Sequence, residues 1–154
     1  MAFTAATAAT ERIRTLQIGE PPNGPVSELL GLEIVSADRG RLTLAMESGP
    51  EFANPMGTLH GGIISTLADS AMGMAYASTL GDSESFTTLE LKINFLKPVW
   101  SGRLTAEARL KKGGSSVGLV ECDVRDAGGS LVAYAVSTCM TLRGVQAAGR
   151  MPVA

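Results

Sequence analysis

Histidine, cysteine and aromatic rings are scarce in this 154-residue chain, and each scarcity removes a class of chemistry. One histidine, His60, cannot build a multi-histidine metal site, so no metal is expected. Two cysteines, Cys122 and Cys139, make no CxxC pair; they fit buried thiols in a reducing compartment better than a disulfide scaffold. Charge of one sign is lacking as well. Thirteen Lys and Arg against fifteen Asp and Glu leave −2, which gives no electrostatic footprint for nucleic acid. Long uninterrupted apolar runs are missing too. The most apolar stretch, 60–81, contains Asp69 and four glycines and makes a poor membrane span. The first residues carry neither the basic start nor the apolar run of a signal peptide. The expectation is a soluble cytoplasmic protein with no nucleic-acid or membrane partner.

What is present is a globular composition, 45% apolar and 18% charged, in a length suited to one domain. Residues 4–18 carry a weak helical pattern, with Ile13, Leu16 and Ile18 to one side, broken by the PPNGP run at 21–25. Residues 1–25 therefore read as a partly helical extension, 26–143 as the domain and 144–154 as a tail. Val26 to Leu30 suit a short helical turn stopped at Gly31. Residues 32–38 and 41–48 pair as strands around Asp38-Arg39-Gly40, and 49–57 is loop. From His60 to about Thr79, Ile63, Ile64, Leu67, Ala68, Ala71, Met72, Ala75 and Tyr76 recur at spacings of three and four. The positions between them are mostly small, which predicts a helix surrounded by other structure. Four strands follow, at 85–98, 102–112, 116–126 and 130–142, separated by glycine-bearing turns. The fold class is α+β, an antiparallel six-stranded sheet wrapped round one long central helix.

Asp69 is the only formal charge in 60–81, set among Leu67, Ala68, Ala71 and Met72 with no Lys or Arg three or four residues away. A carboxylate buried there costs several kcal/mol unless hydrogen-bonded, paired or protonated. It either bonds a facing hydroxyl or backbone group, or stands at a pocket wall as a base or nucleophile. The helix start, His60-Gly61-Gly62, is the second feature. Two glycines there cost about 1 kcal/mol each as helix formers. In return they leave backbone N–H groups unobstructed at the positive end of the helix dipole, where an oxyanion can be held. Ordinary capping explains the same residues. Nine residues separate His60 from Asp69, about 13 Å along a helix. A carbonyl held at the helix start is therefore out of reach of Asp69 in the same chain. If the helix start does hold one, two antiparallel helices from two subunits must share each site.

Asn54, His60-Gly61-Gly62 and Asp69, followed by a strand ending in Phe95-Leu96-Lys97-Pro98, resemble the hotdog-fold acyl-CoA thioesterases, in particular their PaaI-like, phenylacetate-degradation branch. The resemblance covers about residues 26–143. It implies that the Gly61 amide polarises the thioester carbonyl, that His60 positions that turn, and that Asp69 of the facing subunit is nucleophile or general base. Asn54 would orient water or the thioester. Thr88, found by counting back six residues from Asn94, would hold water, with Thr87 on the other side of the strand. Gly62, Met72, Arg109 and Lys111 would contact substrate, the two basic residues near the phosphates of coenzyme A. The substrate would be an acyl-CoA, with no separate cofactor, and the protein a homodimer with composite sites, assembled into a homotetramer. The methionines read as core filler. Two other readings stay open: a non-catalytic acyl-CoA-binding module and an acyl-thioester hydratase or dehydratase.

Overall fold

The computed structural model describes residues 16–150. A short helix α1 (Pro25–Leu29) precedes β1 (Glu33–Asp38) and β2 (Arg41–Ser48); the long helix α2 (Gly61–Ala77) comes next, followed by β3 (Ser85–Phe95), β4 (Gly102–Gly113), β5 (Val117–Asp126) and β6 (Leu131–Leu142). The strands form one sheet in the order β1-β2-β4-β5-β6-β3, every pair antiparallel. Helix α2 packs on five of the six strands, β2 to β6. Sheet and central helix are thus as the sequence pattern predicts. The helical expectation over 4–18 falls mostly outside the described residues, and Leu16 to Ile18 are not helical.

The core lies between α2 and the sheet. Ile64, Leu67, Ala68, Ala71, Met72, Ala75 and Tyr76 of the helix are buried against Leu42, Leu44, Met46, Leu104, Val120 and Val124. Each fully buried Leu or Met stabilises by about 1.5–3 kcal/mol. Ala106, Ala108, Ala133 and Ala135 fill the sheet beneath, small enough for the helix to approach closely. Gly118 is needed for the same reason: a Cβ there would strike the Tyr76 ring, whose hydroxyl meets Thr141 Oγ1 at 2.7 Å. At the C-terminal end of α2, Ser78 Oγ donates to the Ala75 carbonyl at 2.7 Å and accepts from the Gly40 amide at 2.8 Å. That ties the helix to the β1–β2 turn.

β3 ends at Phe95, three residues short of the expected limit. The amides of Leu96 and Lys97 both turn to the Val132 carbonyl, and Pro98 has no amide to continue the ladder. β3 also carries a bulge. Thr88 pairs with Cys139 and Glu90 with Thr138, so Leu89 is left without a partner. The extra residue inverts the alternation. Before it, Thr88 faces the helix; after it, Leu91 and Ile93 pack on the core and Phe95 reaches the helix start. Asn94, bonded to Lys92, lies on the opposite side of the strand from Thr88. Counting back from Asn94 therefore finds Thr88 only by accident: an even count along a straight strand would have put the two on one face.

Candidate active site

The start of α2 is fixed from both sides. The His60 amide donates to the Phe52 carbonyl at 2.9 Å, and the Leu59 amide to Val99 at 2.7 Å. The His60 imidazole is the N-cap, its Nδ1 accepting from the Gly62 amide at 2.9 Å. The Ile63 and Ile64 amides point to the His60 carbonyl. Among the described residues the Gly61 amide donates to no protein acceptor, so it is the free donor of the first turn. Both glycines have a steric cause. A Cβ on Gly61 would lie 2.9 Å from Phe95 Cζ, and one on Gly62 would lie 3.0 Å from His60 Nδ1. Glycine at 61 thus lets an aromatic ring stand beside the free amide, and glycine at 62 admits the capping imidazole.

Two and a half turns on, Asp69 is half-buried, with no cation paired to it among the described residues. Thr88 Oγ1 donates to its Oδ1 at 3.3 Å. Burial pushes the Asp69 carboxyl above the usual carboxylate range, and the Thr88 hydrogen bond pulls it partly back. A carboxylate short of partners and raised in this way is suited to take a proton or attack a carbonyl.

The remaining expected residues lie elsewhere. Asn54 is engaged in its own loop: Nδ2 donates to Thr58 Oγ1 at 2.9 Å, and Oδ1 accepts from the amides of Met56 at 2.9 Å and Thr58 at 3.3 Å. It shapes the turn leading into α2. Met72 is wholly buried in the core. Arg109 and Lys111 converge on Glu121 Oε1, with side chains still 53% and 60% exposed. They sit in an ion-pair network on the sheet face away from α2, not beside Asp69 or Gly61. Sequence reasoning passed over two neighbours of the site. Phe95 flanks Gly61, and Cys139 faces Thr88 across the β3–β6 ladder. Only the register of the folded sheet brings them in.

Comparison with known proteins agrees with this architecture. The family model described as "Thioesterase superfamily" matches residues 56–133. A Saccharolobus solfataricus protein named "Putative esterase" is 36% identical over 118 residues, 77% of this chain and 84% of that one. The 1,4-dihydroxy-2-naphthoyl-CoA hydrolase of Listeria monocytogenes is 31% identical over 101 residues, 66% of this chain and 82% of that one. Among solved structures, the phenylacetic acid degradation-related protein of Ralstonia eutropha JMP134 superposes with a TM-score of 0.74 at 33% identity, covering 86% of this chain and 98% of that one. The E. coli PaaI protein shares the fold, with a TM-score of 0.75 at 24% identity over 91% of this chain and 94% of that one. The chain belongs to the thioesterase superfamily, as a thioester hydrolase of the hotdog-fold, PaaI-like kind.

Proposed function

We propose that this protein hydrolyses acyl-CoA thioesters at sites shared between two copies of the chain. The observation that carries the reading is the pair formed by the half-buried Asp69, with no cation beside it among the described residues, and the Gly61 amide, which donates to no acceptor among them, eight residues apart on one helix. The thioester carbonyl oxygen accepts from the Gly61 N–H of one subunit, where the helix dipole favours developing negative charge. Asp69 of the other subunit takes a proton from water as the water oxygen bonds to the carbonyl carbon. The tetrahedral oxyanion then collapses, the C–S bond breaks, and the thiolate leaves to be protonated, giving free acid and CoA. Direct attack by the carboxylate, through an anhydride that water then opens, uses the same groups. A thioester is activated enough that no further nucleophile is required.

The sheet supports a paired assembly. β3 is an edge strand of eleven residues beside the site, with Leu89 56% and Phe95 53% exposed. A long, partly apolar edge is a template for another strand, and a second copy of β3 satisfies its unpaired backbone groups. The similarity to the Listeria monocytogenes 1,4-dihydroxy-2-naphthoyl-CoA hydrolase favours coenzyme A over other thiol carriers.

The test is thiol release from aromatic, short, medium and long acyl-CoAs by wild type and Asp69→Asn, with oligomeric state read by light scattering. Turnover by wild type alone is expected. Binding without release from any thioester would favour the non-catalytic reading. The shared site has its own test. Gly61→Pro removes the amide hydrogen at the first helical position, where the backbone accepts proline, although its Cβ, like that of alanine, must displace the Phe95 ring. Mixing Gly61→Pro with Asp69→Asn chains after dissociation should restore about a quarter of wild-type activity, since half the dimers then hold one intact site. No recovery in demonstrated heterodimers would refute the composite site.

A further inference from the structure

The free edge of the sheet carries a charge pattern complementary to its own antiparallel copy. Beyond the bulge, β3 runs Glu90-Leu91-Lys92, with Leu91 turned to the core and Glu90 and Lys92 exposed on the face away from α2. Neither charge is answered within the chain. Among the described residues Glu90 joins no ion pair, and Lys92 donates to Asn94 Oδ1 at 2.9 Å. On the β6 side Glu90 stands opposite Thr138 and Lys92 opposite Val136, and β3, last in the strand order, has no ladder on its other side.

Two copies of this strand can pair antiparallel about a two-fold axis in few ways. Directly opposed residues share a face, so the axis passes through a residue and not between two. An axis through Glu90 opposes two glutamates, and an axis through Lys92 opposes two lysines; like charges so placed are destabilising. An axis through Leu91 opposes the two leucines and sets each Glu90 against the partner's Lys92, giving two opposite-charge pairs. The same register assembles the shared site. Phe95 marks Gly61, whose Cβ position its ring blocks, and Thr88 marks Asp69, to which it donates. With the axis on Leu91, Phe95 lies four residues to one side and the partner's Thr88 three residues to that same side, an offset of about 3.3 Å along the strands. An axis through Glu90 or Ile93 makes the offset three residues, about 10 Å, and one through Leu89 makes it larger. Thr88, an odd count from Leu91, faces the helix as Phe95 does because the bulge at Leu89 shifts the phase between them. We propose that two copies join through β3 with Leu91 on the two-fold axis and Glu90 of each paired to the partner's Lys92, the register that sets the Gly61 amide of one copy beside Asp69 of the other.

The inference rests on the proposed composite site, and its test reads the interface without substrate. Single cysteines are introduced into the full chain, whose own Cys122 and Cys139 are buried, and each protein is oxidised. Opposed residues hold their Cβ atoms about 4.5–5.5 Å apart, within a small backbone shift of disulfide geometry, whereas diagonal neighbours at about 7–8 Å are too far. Leu91→Cys is expected to form covalent dimers by itself. Glu90→Cys and Lys92→Cys are expected to form them only when the two chains are mixed after dissociation. Covalent dimers from either of these alone would put the axis on that residue and overturn the register. Charge supplies a second readout. Glu90→Lys and Lys92→Glu should each raise the dimer dissociation constant about tenfold in sedimentation, and their equimolar mixture should recover wild-type association, because every 90–92 pair is then of opposite charge. Unchanged association in both variants would overturn the ion pairs. A protein that stays monomeric at every concentration would overturn the register and the composite site together. The expected cross-links in a protein that releases no thiol from any acyl-CoA would instead leave the register standing and overturn the acyl-CoA reading.

Discussion

Two carboxylates of this protein are withdrawn from solvent on opposite faces of the sheet, and they are treated in opposite ways. Glu121, 8% exposed, receives Arg109, Lys111 and the Tyr134 hydroxyl, the last at 3.0 Å. The hydrogen bond from Arg109 leads the effects that hold its carboxyl below the usual range. Asp69, on the helix side, receives one hydroxyl and no cation among the described residues, and burial drives its carboxyl up. A saturated carboxylate locks strands together. One left short of donors keeps lone pairs for chemistry at a cost in stability. The two acids differ in their partners: three donors, two of them cations, meet Glu121, and one hydroxyl meets Asp69.

The sharpest way to break this comparison is to neutralise each acid in turn. Asp69→Asn should lower thioester turnover by about 10²–10⁴, the range expected for losing a positioned base, with the far-ultraviolet spectrum unchanged. Glu121→Gln should leave turnover within about twofold and lower the unfolding midpoint by several degrees, because it strips Arg109 and Lys111 of their shared partner. A Glu121→Gln enzyme that lost activity as severely as Asp69→Asn would erase the distinction.

A smaller effect is expected at the other half of the site. Gly61→Ala places a methyl 2.9 Å from Phe95 Cζ, so the half-exposed ring or the first turn must shift. Turnover should fall about tenfold while the fold is retained, less than the roughly 10²–10³ that complete removal of an oxyanion donor costs. Adding Phe95→Ala should restore part of it if the ring is the obstacle. Failure of the double variant to recover, with normal thermal stability, would mean that the methyl itself blocks the amide.

How much of this was legible beforehand follows from the range of the interactions. The central helix, its glycine start and the isolation of Asp69 are local properties of 60–81, set by spacing and composition, and the structure keeps them. The β1–β2 hairpin likewise follows from Asp38-Arg39-Gly40, with Gly40 at φ 75°. What could not be read depends on pairing between distant segments. The bulge at Leu89 is a mismatch between β3 and β6, so neither strand alone reveals it, although the apolar phase does slip from Phe86 to Leu91. Arg109 and Lys111 read as free cations until the β4–β5 register sets Arg109 opposite Glu121. Asn54 looks available for a ligand because nothing in the string says that Thr58 and Met56 will fold back onto it.

The smallest predicted effect is also the one that tests the comparison without any substrate. For Asp69 the folded value lies above the ordinary 3.8, so between 3.8 and that raised value the folded state binds more protons than the unfolded one. Wild type therefore loses stability as pH rises through this window and stays at the lower level above it. Asp69→Asn lacks the loss, so it should be the more stable protein at neutral pH, with the advantage shrinking as pH falls toward 3.8. For Glu121 the folded value lies below the ordinary 4.5, and the unfolded state binds more protons between the two. The stabilisation is present above 4.5 and is lost as pH falls through the lowered value. Glu121→Gln should accordingly be the less stable protein at neutral pH, with its deficit closing in acid. Unfolding midpoints of the three proteins at one concentration, followed from pH 7 downward, should thus converge on wild type from above and from below. Convergence of both variants from the same side would show that Asp69, like Glu121, is held by partners that favour its charge, and the asymmetry between the two faces of the sheet would be lost.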